Sequence, residues 1–298
     1  AAILKSLQEN GHLNDELEKS VNGATTLTAL EDLYLPYRPK RRTRATIAKE
    51  QGLEPLADLL FKQSGVDPAK EAKAYIDAEK KVESVEDALA GARDIIAERV
   101  SEDQAIRQAV RTYFAKNAVI RSKITKGKEE QGAKFRDYFD WQEPLAKAPS
   151  HRILAMRRGE KEGILTMRIE PPEEDGLALI ESRLVSGSAA DSDQVRTAAQ
   201  DGYRRLLAAA LETEMRLTTK VAADQEAIRV FSENIRQLLL AAPLGRKRVM
   251  AIDPGFRTGC KLVCLDPQGK LLHTDTVYPG QGEAKTKEAG SKLAQCIE

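Results

Sequence analysis

Cysteine is scarce in these 298 residues: Cys260, Cys264 and Cys296 are the only three, and no Cys-x-x-Cys pair occurs. An odd count without framework spacing excludes a disulfide scaffold and points to a reducing compartment. Histidine is equally thin, with His12, His151 and His273 far apart and lacking metal-ligand spacing. No G-x-x-x-x-G-K-[ST] loop is present to cradle a nucleotide phosphate. No apolar run approaches the ~20 residues that cross a bilayer, and no signal peptide opens the chain. The expectation is a cytoplasmic protein without a membrane partner. Net charge is also missing: 47 bases against 46 acids give +1. No global field therefore draws the protein to a polyanion.

What is present is local charge. Asp67 to Asp103 hold 11 acids and 6 bases, whereas Lys116 to Arg136 hold 7 bases against Glu129 and Glu130. The densest basic run lies in "YLPYRPKRRTRATIA" and the lysine after it, where Arg38, Lys40, Arg41, Arg42, Arg44 and Lys49 follow one another with no acid among them. Arginine forks bind phosphate bidentately, and tyrosines stack on unpaired bases. Tyr34 and Tyr37 flank the run, and Pro36 and Pro39 are expected to hold it extended. The competing reading packs Tyr34 and Leu35 inward while the arginines bridge to acids such as Glu31 and Asp32.

The first 245 residues read as mostly helical. Ser84 is a candidate N-cap for a helix whose face is Leu89, Ala92, Ile96 and Val100. Ser101 and Gln104 resemble a capping box for the next helix, with Ile106, Val110 and Tyr113 or Phe114 as its stripe. Gly52 is expected to stop a short helix, and Pro55 to sit in the first turn of the following one. The Ala48-x-x-x-Gly52 spacing is compatible with a helix-turn-helix. Ser150 is read as the cap of a helix ending near Gly159, followed by a strand in "GILTMRIE" that Pro171 and Pro172 stop. From Tyr203 to Ala242 there is neither Gly nor Pro, and Ile228, Phe231, Ile235, Leu238 and Ala242 keep helical spacing. One long helix is predicted there. Three strands, "RVMAIDPG", "GCKLVCLD" and "KLLHTDTVYP", and a helix then follow in β-β-β-α order.

Four separated motifs, "LEDLYLPYRPKRRTRA", "PSHRILAMRRGEKEG", "FSENIRQLLLAAPLG" and "AIDPGFRTGCKL", resemble the Tex (YhgF) family of bacterial transcription accessory proteins, in that order. The resemblance covers essentially the whole chain. It implies a helical N-terminal region with a helix-turn-helix-like part, a long central helix and a YqgF domain of RNase H-like fold. Helix-hairpin-helix modules and an OB-type RNA-binding domain would come next, so the chain reads as a piece of a larger protein. RNA or DNA, and RNA polymerase or elongation complexes, are the partners the resemblance implies.

In RNase H-like folds an aspartate ending the first strand holds divalent metals, here Asp253. Phosphodiester hydrolysis by two metals needs three or four converging carboxylates. Asp266 precedes Pro267 in ordinary turn chemistry, and nothing in the sequence shows that Asp275 faces Asp253. Asp253 can equally bond the amides of its own turn.

The expected fold is therefore mainly α: helical residues 1–125, a mixed region 126–202 with one short strand, a long helix over 203–245, and an incomplete RNase H-like (YqgF) α/β domain over 246–298. The expected function is a non-enzymatic, nucleic-acid-binding transcription accessory protein that grips phosphate through Arg38, Lys40, Arg41, Arg42 and Arg44, with Tyr34 and Tyr37 for stacking. It needs no cofactor. One alternative is a metal-dependent RNase H/RuvC-like nuclease using Asp253 and magnesium. Another is a protein-interaction scaffold without nucleic-acid contact.

Overall fold

The computed structural model describes residues 2–39, 41–255 and 258–297, and divides into two compact units, Ala1–Arg229 and Val230–Glu298. The first unit opens with α1 (Ala2–Glu9), α2 (Asp15–Gly23) and α3 (Leu27–Tyr34). Asn14 and Thr26 cap α2 and α3 by accepting from Leu17 and Ala29 N–H. These helices bury a small cluster of their own, Leu7, Leu17 and Val21, packed by Leu30, Tyr34 and Tyr37.

The larger core begins with α4 (Arg44–Glu50), α5 (Glu54–Phe61) and α6 (Pro68–Ala72). α4 stops where expected, because Gly52 takes a left-handed φ of +82° that a side chain resists. Pro55 lies in the first turn of α5 as expected. α7 (Val85–Glu102) is capped by Ser84, which accepts from Asp87 N–H, and buries Leu89, Ala92, Ile96 and Val100. α8 (Gln104–Asn117) buries Ile106, Val110 and Phe114. Its cap is Asp103, not the Ser101 read from the sequence: Asp103 accepts from Ile106 N–H at 2.8 Å. α7 runs on through Glu102, which leaves Ser101 inside a helix with its hydroxyl donating to Glu98 O.

A three-stranded antiparallel sheet follows, of which only the last strand was expected. β1 (Val119–Ile124) is the middle strand, flanked by β2 (Asp140–Pro144) and β3 (Leu165–Glu170). Val119 pairs with Glu170 and Lys123 with Thr166, so the boundary expected at residue 125 separates β1 from both strands it pairs with. Between β2 and β3, α9 (Ser150–Lys161) starts on Pro149 without a side-chain cap, correcting the role given to Ser150. It also runs past Gly159, which is buried under Leu165.

α10 (Glu173–Leu184) leads to α11 (Ala190–Gly202), a π turn Tyr203–Leu207 and α12 (Ala208–Leu239). The long helix is present and begins well before residue 203. Gly202 is no start signal: a Cβ there would lie 2.8 Å from Ala97 O, so its lack of a side chain lets α11 press against α7. The helix ends at Leu239, leaving Ala242 beyond it. Ile228, Phe231, Ile235 and Leu238 do form a stripe, and all four are exposed.

The second unit carries the expected order: β4 (Val249–Asp253), β5 (Cys260–Leu265), β6 (Leu271–Val277) and α13 (Glu283–Ile297), with the strands antiparallel in the order β4-β5-β6. The chain is thus mainly α with a smaller α/β part. Among the described residues no helix is long and apolar enough to cross a membrane.

Candidate nucleic-acid interface and the Asp253 strand end

The basic run is the connector between the N-terminal helices and the larger core. α3 passes into a 3₁₀ turn, Leu35–Tyr37, with Pro36 in it, so this part is coiled rather than extended as expected. Arg38 then takes extended angles, φ −66° and ψ 129°. Thr43 accepts from Thr46 N–H at 3.0 Å and opens α4, which makes Arg44 the first residue of that helix. Arg38, Arg41, Arg42 and Arg44 are exposed, and Lys40 lies outside the described residues.

Their partners are few. Arg42 pairs with Glu50 at 2.7 Å, with side chains 68% and 52% exposed. A pair so open to water contributes at most about 1 kcal/mol. Arg38, Arg41 and Arg44 make no ion pair among the described residues. The charge of Arg44 nevertheless reaches Asp94. Burial pushes the Asp94 carboxyl above its ordinary range, and Arg205, Arg44 and Arg93 pull it back.

The proposed brace to Glu31 and Asp32 is not how this segment is held. Asp32 is buried and taken by other arginines: Arg107 Nε donates to Oδ1 at 2.7 Å and Arg111 Nη2 to Oδ2 at 2.8 Å. Arg111 also donates to Glu214 on α12, and Arg107 to Ser101 O. This network joins α3, α8 and α12 across distant positions, and no local sequence signal announced it. The tyrosines, by contrast, do pack inward. Tyr34 shares a 2.8 Å hydrogen bond with Ser6, and the Tyr37 ring lies 5.3 Å from that of His12. Both rings are half-buried against the Leu7 cluster, which leaves the arginines as the groups that reach solvent.

Asp253 ends β4, exposed, with Lys261 as its cross-strand partner. Side chains alternate along a strand and cross-strand partners share a face. Asp253, Lys261 and Thr276 therefore occupy one face, and Ile252, Leu262 and Asp275 the other. The two aspartates do not converge. Asp275 instead pairs with Lys292 on α13 at 3.0 Å. Lys292, helped by the Thr276 N–H, holds its carboxyl below the usual range. Asp266 does what its place before Pro267 predicts, accepting from Gln268 and Lys270 N–H at 2.8 Å each. Among the described residues no three His, Cys, Asp or Glu side chains are grouped to hold a metal.

Comparison with known proteins agrees with this two-part plan. Residues 63–231 match the family described as Tex central region-like, and residues 247–298 match the Tex protein YqgF-like domain. The chain belongs to the Tex family. It is 46% identical to protein YhgF of Escherichia coli (strain K12) over 99% of this chain and 39% of that protein. It is 42% identical to protein tex of Bordetella pertussis, and 40% identical to the transcriptional accessory protein Tex of Neisseria gonorrhoeae, in each case over 93% of this chain and 37% of the relative. The chain thus spans about two fifths of the length of these Tex proteins.

Proposed function

We propose that this part of the Tex protein binds nucleic acid without cutting it and works in the cytoplasm as an accessory to transcription, beside RNA polymerase or elongation complexes. The observation that carries the reading is the connector: five bases between residues 38 and 44, on an exposed segment, with three of the four described arginines lacking an ion pair. Their phosphate contacts are indifferent to sequence, because phosphates carry no base identity. Tyr34 and Tyr37 anchor the start of the connector through their buried edges. The placement of Asp253 and Asp275 on opposite faces supports binding over hydrolysis.

The test is fluorescence anisotropy with a labelled single-stranded RNA at several salt concentrations. Arg41→Ala with Arg42→Ala is expected to weaken binding and to make the salt dependence shallower by about 0.7 per lost contact, with melting unchanged. Unchanged affinity with melting lowered by several degrees would make the arginines a brace and end this reading. RNA recovered after incubation with magnesium is expected intact.

A second reading, an interaction scaffold, draws on the stripe Ile228, Phe231, Ile235 and Leu238, which α12 presents to solvent.

A further inference from the structure

The sheet of the first unit has an inner face in the core and an outer face in water. Along β3, Leu165, Met167 and Ile169 are buried while Thr166, Arg168 and Glu170 are exposed; along β1, Ile120 and Ser122 are buried while Arg121 and Lys123 are exposed. The register sets Arg121 directly across from Arg168 and Lys123 directly across from Thr166. Like charges opposite one another on neighbouring strands destabilise a sheet. Arg168 is partly compensated, since it donates to Glu212 at 3.0 Å while remaining 69% exposed. Arg121 and Lys123 have no hydrogen bond or ion pair from their side chains among the described residues, although Asp140 stands across from Lys123 on β2. The acids of this face, Asp140 and Glu170, sit on the two edge strands, and the middle strand bears bases alone. Among the described residues of the three strands, none on the outer side carries an aromatic ring. Trp141 is paired with the buried Ser122 and turns inward, beside Tyr138 and under Arg152.

We infer that this outer face is a second contact for a nucleic-acid backbone, a single strand laid along β1. Arg121 and Arg168, on strands about 4.8 Å apart, are placed to share one phosphate, and Lys123, about 6.8 Å further along β1, takes the next. With no ring to stack a base, the contact reads charge and not sequence. The inference rests on the reading that this chain binds nucleic acid, and it adds to the connector a surface that can be tested separately.

Two double variants separate the two surfaces: Arg121→Ala with Lys123→Ala on the sheet, and Arg41→Ala with Arg42→Ala on the connector. Both are measured in the full 298-residue chain by anisotropy with single-stranded RNA, after melting curves show that the fold is kept. The sheet variant is expected to bind several-fold more weakly, with a salt dependence shallower by about 1.4 for two lost contacts. Acetylation of Lys123 in the unmodified protein, followed by mass spectrometry, is expected to slow when RNA is added. That second readout survives even if the sheet variant proves unstable. Connector loss with an unaffected sheet variant and an unprotected Lys123 would overturn this inference and leave the connector reading standing. Sheet loss with an unaffected connector variant would do the reverse. A parent chain that does not bind RNA at all would remove both.

Discussion

The two three-stranded sheets share antiparallel ladders and differ in what their faces meet. In the first unit every second residue of β3 is in the core, and α9 packs against it. In the second, Leu262 and Val277 are the buried apolar residues of the described strands, while Met250, Ile252, Leu271 and Leu272 are exposed. The face of the second sheet that carries Leu262, Asp275 and Val277 is covered by α13, and less completely than the inner face of the first sheet. Charge follows the same division. The first unit buries Asp32 and Arg107 as a pair, whereas the Asp275–Lys292 pair of the second lies at the surface.

The sharpest way to break this contrast is Asp32→Ala. It strands Arg107 and removes one partner of Arg111, and losing one member of a buried pair costs about 3–5 kcal/mol. Trp141, the single tryptophan, lies in the first unit and reports its urea unfolding by fluorescence. Asp275→Ala is expected to leave that transition in place. A comparable midpoint shift from both would mean that the burial difference has no energetic weight.

A smaller effect should come from matched apolar truncations. Ile169→Ala empties a fully buried site on β3 and is expected to cost about 2–5 kcal/mol. Ile252→Ala trims a side chain that is 46% exposed on β4, and should cost well under half as much. Equal losses, followed by circular dichroism, would show that the second sheet is better packed than its exposure indicates.

The smallest effect concerns pH. Burial, followed by the nearby charge of Tyr113, pushes the Tyr203 hydroxyl from 10.0 up to about 12. Between those values the unfolded chain has lost a proton that the folded protein keeps, so stability is whole below pH 10 and falls as pH rises through the folded value. The loss approaches about 2 kcal/mol near pH 12. Tyr203→Phe should flatten this part of the profile, and an unchanged slope would assign it to other groups.

Legibility in the sequence followed how local the cause was. The Ser84 cap, the Gly52 turn with Pro55, and the β-β-β-α order depend on residues within a few positions, and all were readable. β1 is hard to read because the density of bases from Lys116 to Arg136 masks the alternation of Ile120, Arg121, Ser122 and Lys123. β2, "DWQEP", has little strand character of its own and exists because β1 pairs with it. Asp103 outcompeted Ser101 only because α7 extends to Glu102. At the connector the bases and the inward packing of Tyr34 were both readable, whereas the inward turn of Tyr37 toward His12 depends on the helices before it. The sheet decided the relation of Asp253 to Asp275, since their opposite faces follow from register.

The π turn at Tyr203–Leu207 sets a phase. A π turn holds one residue more than the α-helical turn it replaces, and one residue corresponds to about 100° of rotation about the helix axis. Leu211 and Met215 point into the core, and Glu214 meets Arg111, at the angle this extra residue dictates. Removing a single residue there would leave a helix of unimpaired propensity, aimed in the wrong direction. The angular setting of α12 is therefore written as a length, counted in residues.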